Sequence, residues 1–122
     1  DILDYRIAAN TLEIAGDTVV ELSQSLMNSN LSKAEQKRIH DFAKDMEEIQ
    51  TKSIESFISN NRTLAINAIT LQKNNSEKIS KIRSSLENKK QIPLAFFDVI
   101  YMFEKILQSW SDITDLVKPS YQ

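Results

Sequence analysis

The sequence predicts an all-α protein, an antiparallel four-helix bundle with up-down connections, on three observations. Apolar residues recur at alternating steps of three and four over long stretches, the mark of helices with one buried stripe. Polar breaks divide the chain into four long segments. One glycine, Gly16, and two prolines, Pro93 and Pro119, leave most β architectures without their turn residues. The 122 residues, 41% of them hydrophobic, suit a single domain with one core.

The first helix is expected over about residues 2–28, ending in the polar cluster Asn28-Ser29-Asn30. Its stripe reads Tyr5, Ala8, Leu12, Ala15, Val19, Leu22 and Leu26. The second is expected over 33–60, because Ser32 and Glu35 have the spacing at which each side chain satisfies the other's backbone N–H. Its stripe of Ile39, Phe42, Met46 and Ile49 drifts to Ile54 and Phe57. Asn61 is placed to cap the third helix, over 62–88, whose inward slots are Ala65, Ala68, Gln72, Asn75, Ile79, Ile82 and Leu86. Pro93 suits the first turn of the fourth, over 93–118, where its missing N–H would be unpaired anyway, and Pro119 ends it. That helix carries Phe96, Val99, Phe103, Ile106, Trp110, Ile113 and Val117. Trp110 reads as a core residue.

Composition removes several kinds of chemistry. The chain has no cysteine for thiolate zinc sites or thiol nucleophiles, and its single histidine, His40, excludes sites that need two imidazoles. One glycine cannot build a phosphate-cradling loop. The longest apolar stretch, Ile92 to Phe103, is interrupted by Asp98 and falls far short of the ~18 residues of a membrane span. No basic-then-apolar leader opens the chain, so a cytoplasmic location without membrane insertion is expected. Asp1 stands where a methionine would begin a protein, and the sequence reads as a fragment of a longer chain.

The remaining chemistry belongs to carboxylates. Glu13 and Asp17 are four apart, so they project one above the other, away from the expected stripe. Such a pair is either a solvated acidic face or a perch for a hard cation, which would turn mutual repulsion into attraction. Gly16 lies beside them and costs about 1 kcal/mol against alanine inside a helix. It either lets another helix approach closely or clears room for a bound group. Asp41 and Asp45 repeat the spacing, followed by Glu48, but Lys37, Arg38, Lys44 and Lys52 flank them and favour ordinary surface pairing. His40 reads as a surface or boundary imidazole.

The third segment is basic, with Arg62, Lys73, Lys78, Lys81, Arg83, Lys89 and Lys90 against Glu77 and Glu87. No aromatic residues are interleaved for base stacking and the net charge is −2, so a solvated face or an acidic partner is expected before nucleic acid. The sequons at Asn61 and Asn74 are read as chance.

Shifting the first segment by 91 residues lays its stripe on that of the fourth: Leu12 on Phe103, Val19 on Trp110, Leu26 on Val117. Glu13 then falls on Glu104, and Glu21 on Asp112, which hints at duplication.

The run Leu12-Glu13-Ile14-Ala15-Gly16-Asp17-Thr18-Val19-Val20-Glu21-Leu22 resembles the signature helix of the PhoU family of phosphate-uptake regulators, roughly L-E-R-I-G-D-x-A-V-x-I. Phe103-Glu104-Lys105-Ile106 looks like its second copy. Ile54-Glu55-Ser56-Phe57 followed by Asn61-Arg62-Thr63-Leu64-Ala65 is similar to the family's hairpin. The resemblance covers nearly the whole chain, as the last helix of one three-helix repeat plus a complete second repeat. It implies surface carboxylates that hold iron, zinc, manganese or similar ions, here a divalent or ferric ion at Glu13 and Asp17, with Glu104, Asp41 and Asp45 as secondary candidates. It also implies a regulator that contacts the ATPase of the phosphate ABC transporter and a membrane histidine kinase. Some archaeal relatives carry an N-terminal AbrB-like domain, and nucleic acid would be reached only through such a missing domain.

This chain departs from that pattern. Glu104 is followed by Gln108, so the second aspartate is gone, and the third helix's D-x-x-x-D falls at Gln72 and Ser76. An amide and a hydroxyl are weak ligands for a hard cation, so a full cluster in the second repeat is not expected. The leading expectation is a non-enzymatic regulator of phosphate uptake acting through protein contacts. A structural or oligomerisation bundle without metal is the alternative, and a metal-carboxylate hydrolase ranks last. A first helix left unpaired would expose its stripe and favour a homodimer.

Overall fold

The computed structural model describes residues 1–87 and 94–118; Asn88, Lys89, Lys90, Pro93 and Pro119, to which the sequence reading gives roles, lie outside them. Four helices follow in order: α1 (Ile2–Met27), α2 (Lys33–Ile58), α3 (Arg62–Glu87) and α4 (Leu94–Thr114). Asp1 caps α1 by accepting from the Leu3 N–H at 2.8 Å. Ser32 Oγ accepts from the Glu35 N–H at 3.2 Å, as expected, but the Glu35 carboxylate accepts from the Ser32 hydroxyl at 3.0 Å. Asn61 Oδ1 caps α3 through the Leu64 N–H.

The α2–α3 turn shows why an asparagine stands at its apex. Asn60 has φ 47°, the left-handed conformation that asparagine tolerates better than most residues. The N–H of Asn61 returns to the Ser56 carbonyl and that of Asn60 to Phe57, which closes the carbonyl end of α2. Asn60 Oδ1 also accepts from the Lys118 N–H at 3.0 Å, and Lys118 Nζ pairs with Asp4 Oδ2 at 3.3 Å. The chain past α4 is therefore tied to the α2–α3 turn and to the start of α1. It leaves the α-helix at Thr114 through tighter bonds from Leu116 to Ile113 and from Val117 to Thr114, earlier than the expected 118.

Polar and aromatic pairs give the directions. Asp4 near Lys118 and Ser25 near Met102 set α1 antiparallel to α4. Lys78 on Asp45 and Gln72 on Ser53 do the same for α2 and α3. Arg83 on Glu104 and Gln72 on Thr114 do so for α3 and α4. Phe42 and Phe103 pack at a tilt, ring centres 5.6 Å apart, between α2 and α4, which run parallel. The fold is thus an all-α up-down bundle, but not a square one. α4 packs closely against all three other helices, whereas no Cα of α1 comes within 8 Å of α2 or α3.

In α2, α3 and α4 the expected stripes form the core, including the polar slots, except that Ile82 is half-buried at its edge and Val117 is half-buried beyond the end of α4. Buried Gln72 donates through Nε2 to Ser53 Oγ at 3.2 Å and to Thr114 Oγ1 at 3.4 Å, linking three helices. In α2 the stripe does not drift but continues through buried Ser53 and Ser56, with Ile54 and Phe57 half-buried beside it.

The expectation for α1 holds at Ala8, Ala15 and Leu22 and needs correction at Tyr5, Leu12 and Val19. Its buried residues are Ala8, Thr11, Ala15, Thr18 and Leu22, while Tyr5, Leu12 and Val19 are 58%, 40% and 45% exposed. The cause is the approach to α4. Alanines and threonines let the two backbones come close, and the hydroxyls of Thr11 and Thr18 fold back onto the Ile7 and Ile14 carbonyls, so neither is buried unpaired. The backbone of α2 stays distant, and although its Phe57 reaches across edge-on to Tyr5 at 5.2 Å, the large residues on the flank remain exposed. Leu22→Ala is therefore expected to cost about 2–5 kcal/mol in urea unfolding, and Leu12→Ala ~1 kcal/mol or less.

Candidate functional site

Glu13 and Asp17 of α1 face away from α4. Both are exposed, and neither forms an ion pair with a lysine or arginine among the described residues. Gly16 beside them has open space: a Cβ built there meets nothing within 4 Å. No helix of this chain uses the notch. Two carboxylates supply at most four of the six to eight oxygens a calcium-like ion takes, and no group of three or more His, Cys, Asp and Glu suited to a metal ion forms among the described residues. The pair fits an exchangeable, mostly water-coordinated cation and not a multi-carboxylate cluster.

Two of the three secondary candidates, Asp45 and Glu104, are engaged by side chains distant in sequence. Asp45 Oδ2 accepts from Lys78 Nζ at 3.2 Å and from Asn75 Nδ2 at 3.4 Å, both on α3. Glu104 Oε1 accepts from Arg83 through both Nε, at 3.0 Å, and Nη2. Asp41 is exposed on the rim of a shallow groove that also holds Arg38, Lys78 and Lys81. His40 is exposed beside Leu26 and Leu31 at the α1–α2 end, and Trp110 is buried in the core.

One grouping unites positions that only the sequence resemblance had linked. Gln72 and Ser76 of α3 and Glu104 and Gln108 of α4 line a single open cleft of about 530 Å³. Lys73 and Arg83 line it too. Where the pattern would place carboxylates around metal, this chain has an amide, a hydroxyl and a second amide, and a guanidinium occupies the one acid left. Gln108 Nε2 turns outward to Asp112 Oδ1 at 2.9 Å. Arg83 escaped the sequence reading because it is 21 residues from its partner, and no periodicity signals such a pairing.

Compared with known proteins, the chain matches no family model, no curated protein and no solved structure. No helix of the described residues is long and apolar enough to cross a membrane.

Proposed function

We propose that this chain is a non-enzymatic regulatory module of phosphate uptake that works in the cytoplasm through protein contacts, as its resemblance to the PhoU family implies. The observation that carries this reading is the cleft between α3 and α4. Four positions selected by the family pattern alone, Gln72, Ser76, Glu104 and Gln108, come together on two different helices. The run Leu12 to Leu22 supports it from the other end of the chain, with its acids unpaired and outward on a helix rich in exposed apolar residues. Partners on this reading are the phosphate-transporter ATPase and a sensor kinase. A structural or oligomerisation bundle is the second reading, favoured by the pairing of Glu104 with Arg83, which removes a ligand from the second repeat.

Pull-down with the chain as bait is expected to retain the transporter ATPase of its own cell in a phosphate-dependent way. Equal recovery, or none, from phosphate-replete and phosphate-starved extracts contradicts the regulatory reading. The metal is proposed to be weak and centred on Glu13 and Asp17. Metal analysis of protein purified without chelator should find less than one ion per chain, lost in Glu13→Ala/Asp17→Ala. A stoichiometric, chelator-resistant cluster at Glu104 would show the assignment to be wrong.

A further inference from the structure

α1 buries alanine and threonine and shows its larger residues to solvent, so its exposed side carries information about what covers it. One flank of that side has a regular composition. Tyr5, Leu12 and Val19 recur every seventh residue, and between them Ala9, Gly16 and Ser23 recur at the same interval. All six are exposed. At 100° per residue they share a strip about a quarter-turn wide, bordered on its outer side by Ile2, Val20 and Met27 and free of charged residues. Arg6, Glu13 and Asp17 lie beyond that border. The strip is a heptad seam with large side chains at one place and small ones at the other, and it opens on the gap between α1 and α2.

From this we infer that the strip is the contact between two copies of the chain, packed antiparallel about a two-fold axis. The proposal extends the protein-contact reading above by naming the occupant of this one face. A two-fold interface must be complementary to itself, and this strip is so in one register. Setting Leu12 against Gly16 of the other copy also sets Val19 against Ala9 and Tyr5 against Ser23. Every large side chain then meets a small one, which is how facing layers interdigitate without voids or clashes. The register gives the glycine a reason. In the chain alone Gly16 weakens α1 and makes room for nothing within 4 Å; in the pair it is the notch for Leu12. The absence of charge matches the core of an interface.

The area is sufficient. The six large residues of the strip and its border are 40–85% exposed. At on the order of 100 Å² for a fully exposed apolar side chain, they and the small residues between them offer roughly 500 Å² per copy. Two copies reach the ~1,000 Å² that a specific interface needs. Half-buried Phe57 of α2 borders the same gap, already edge-on to Tyr5 at 5.2 Å. A reversible dimer of modest affinity follows.

Sedimentation of the full chain over a concentration series is expected to show monomer–dimer exchange. Leu12→Glu should weaken it about 30-fold or more, the effect of losing one central anchor, with helical content unchanged. Gly16→Leu should raise the stability of the dilute monomer in urea while weakening the dimer, a pair of opposite signs that misfolding does not produce. Because the chain has no cysteine, the register can be read directly. A mixture of Leu12→Cys and Gly16→Cys chains should form an intermolecular disulfide, and one of Leu12→Cys and Val19→Cys should not. A chain that stays monomeric at every concentration overturns the proposal, as does a dimer indifferent to Leu12→Glu or one that cross-links in the second mixture. A monomer would leave the phosphate-dependent recovery of the transporter ATPase standing or falling by itself.

Discussion

α4 is apolar around most of its circumference, with Phe96, Ile100, Phe103, Leu107 and Trp110 all buried, and a helix of that kind has to be enclosed. Three helices enclose it, and this requirement shapes the rest of the molecule. α2 and α3 form a hairpin that holds one side, joined to α4 by the Phe42–Phe103 contact and by the hydrogen bonds of Gln72. α1 closes the other side and does so at short range, through alanines and threonines. In serving α4 it is drawn away from α2, and the cost is a row of large side chains left in solvent.

That arrangement separates two kinds of surface. Between α3 and α4 lies a polar cleft whose one carboxylate is held by Arg83. The guanidinium supplies the positive charge that faces Glu104 there. On α1 the apolar flank is open, and beside it Glu13 and Asp17 have no cationic partner among the described residues, whereas Asp4 is held by Lys118. Ion binding and protein contact would therefore both fall on α1, while the α3–α4 side is locked by its own side chains.

Much of the architecture was legible in the sequence because large apolar residues at helical spacing have few alternatives to burial. Phe96 through Ile113, Ile39 through Ile49, and even the polar slots Gln72 and Asn75 sit where periodicity placed them. α1 was legible as a helix and at Ala8, Ala15 and Leu22 of its inward stripe, but not in the rotation that buries Thr11 and Thr18 instead of Leu12 and Val19. Its apolar residues cover more than half a turn, so beside Ala8, Ala15 and Leu22 a stripe completed by Tyr5, Leu12 and Val19 and one completed by Thr11 and Thr18 fit the period equally well. What decided between them was the distance to α4, a property of the whole bundle. Ser53 and Thr114 were missed for a related reason: a buried hydroxyl depends on a partner such as Gln72, distant in sequence. Of the candidate acids, spacing identified which shared a helix face, but the pairing of Asp45 with Lys78 and of Glu104 with Arg83 depends on how α2, α3 and α4 are laid together.

The claim on which these readings rest is the rotation of α1, with its small residues inward. Thiol labelling measures it most directly, since the chain has no cysteine to interfere. In dilute protein, cysteines placed singly at Leu12 and Val19 should react as fast as a thiol in a free peptide. Those at Ala15 and Thr18 should stay protected until the chain opens. Rapid labelling at Ala15 and Thr18 with protection at Leu12 and Val19 would mean that α1 is turned the other way.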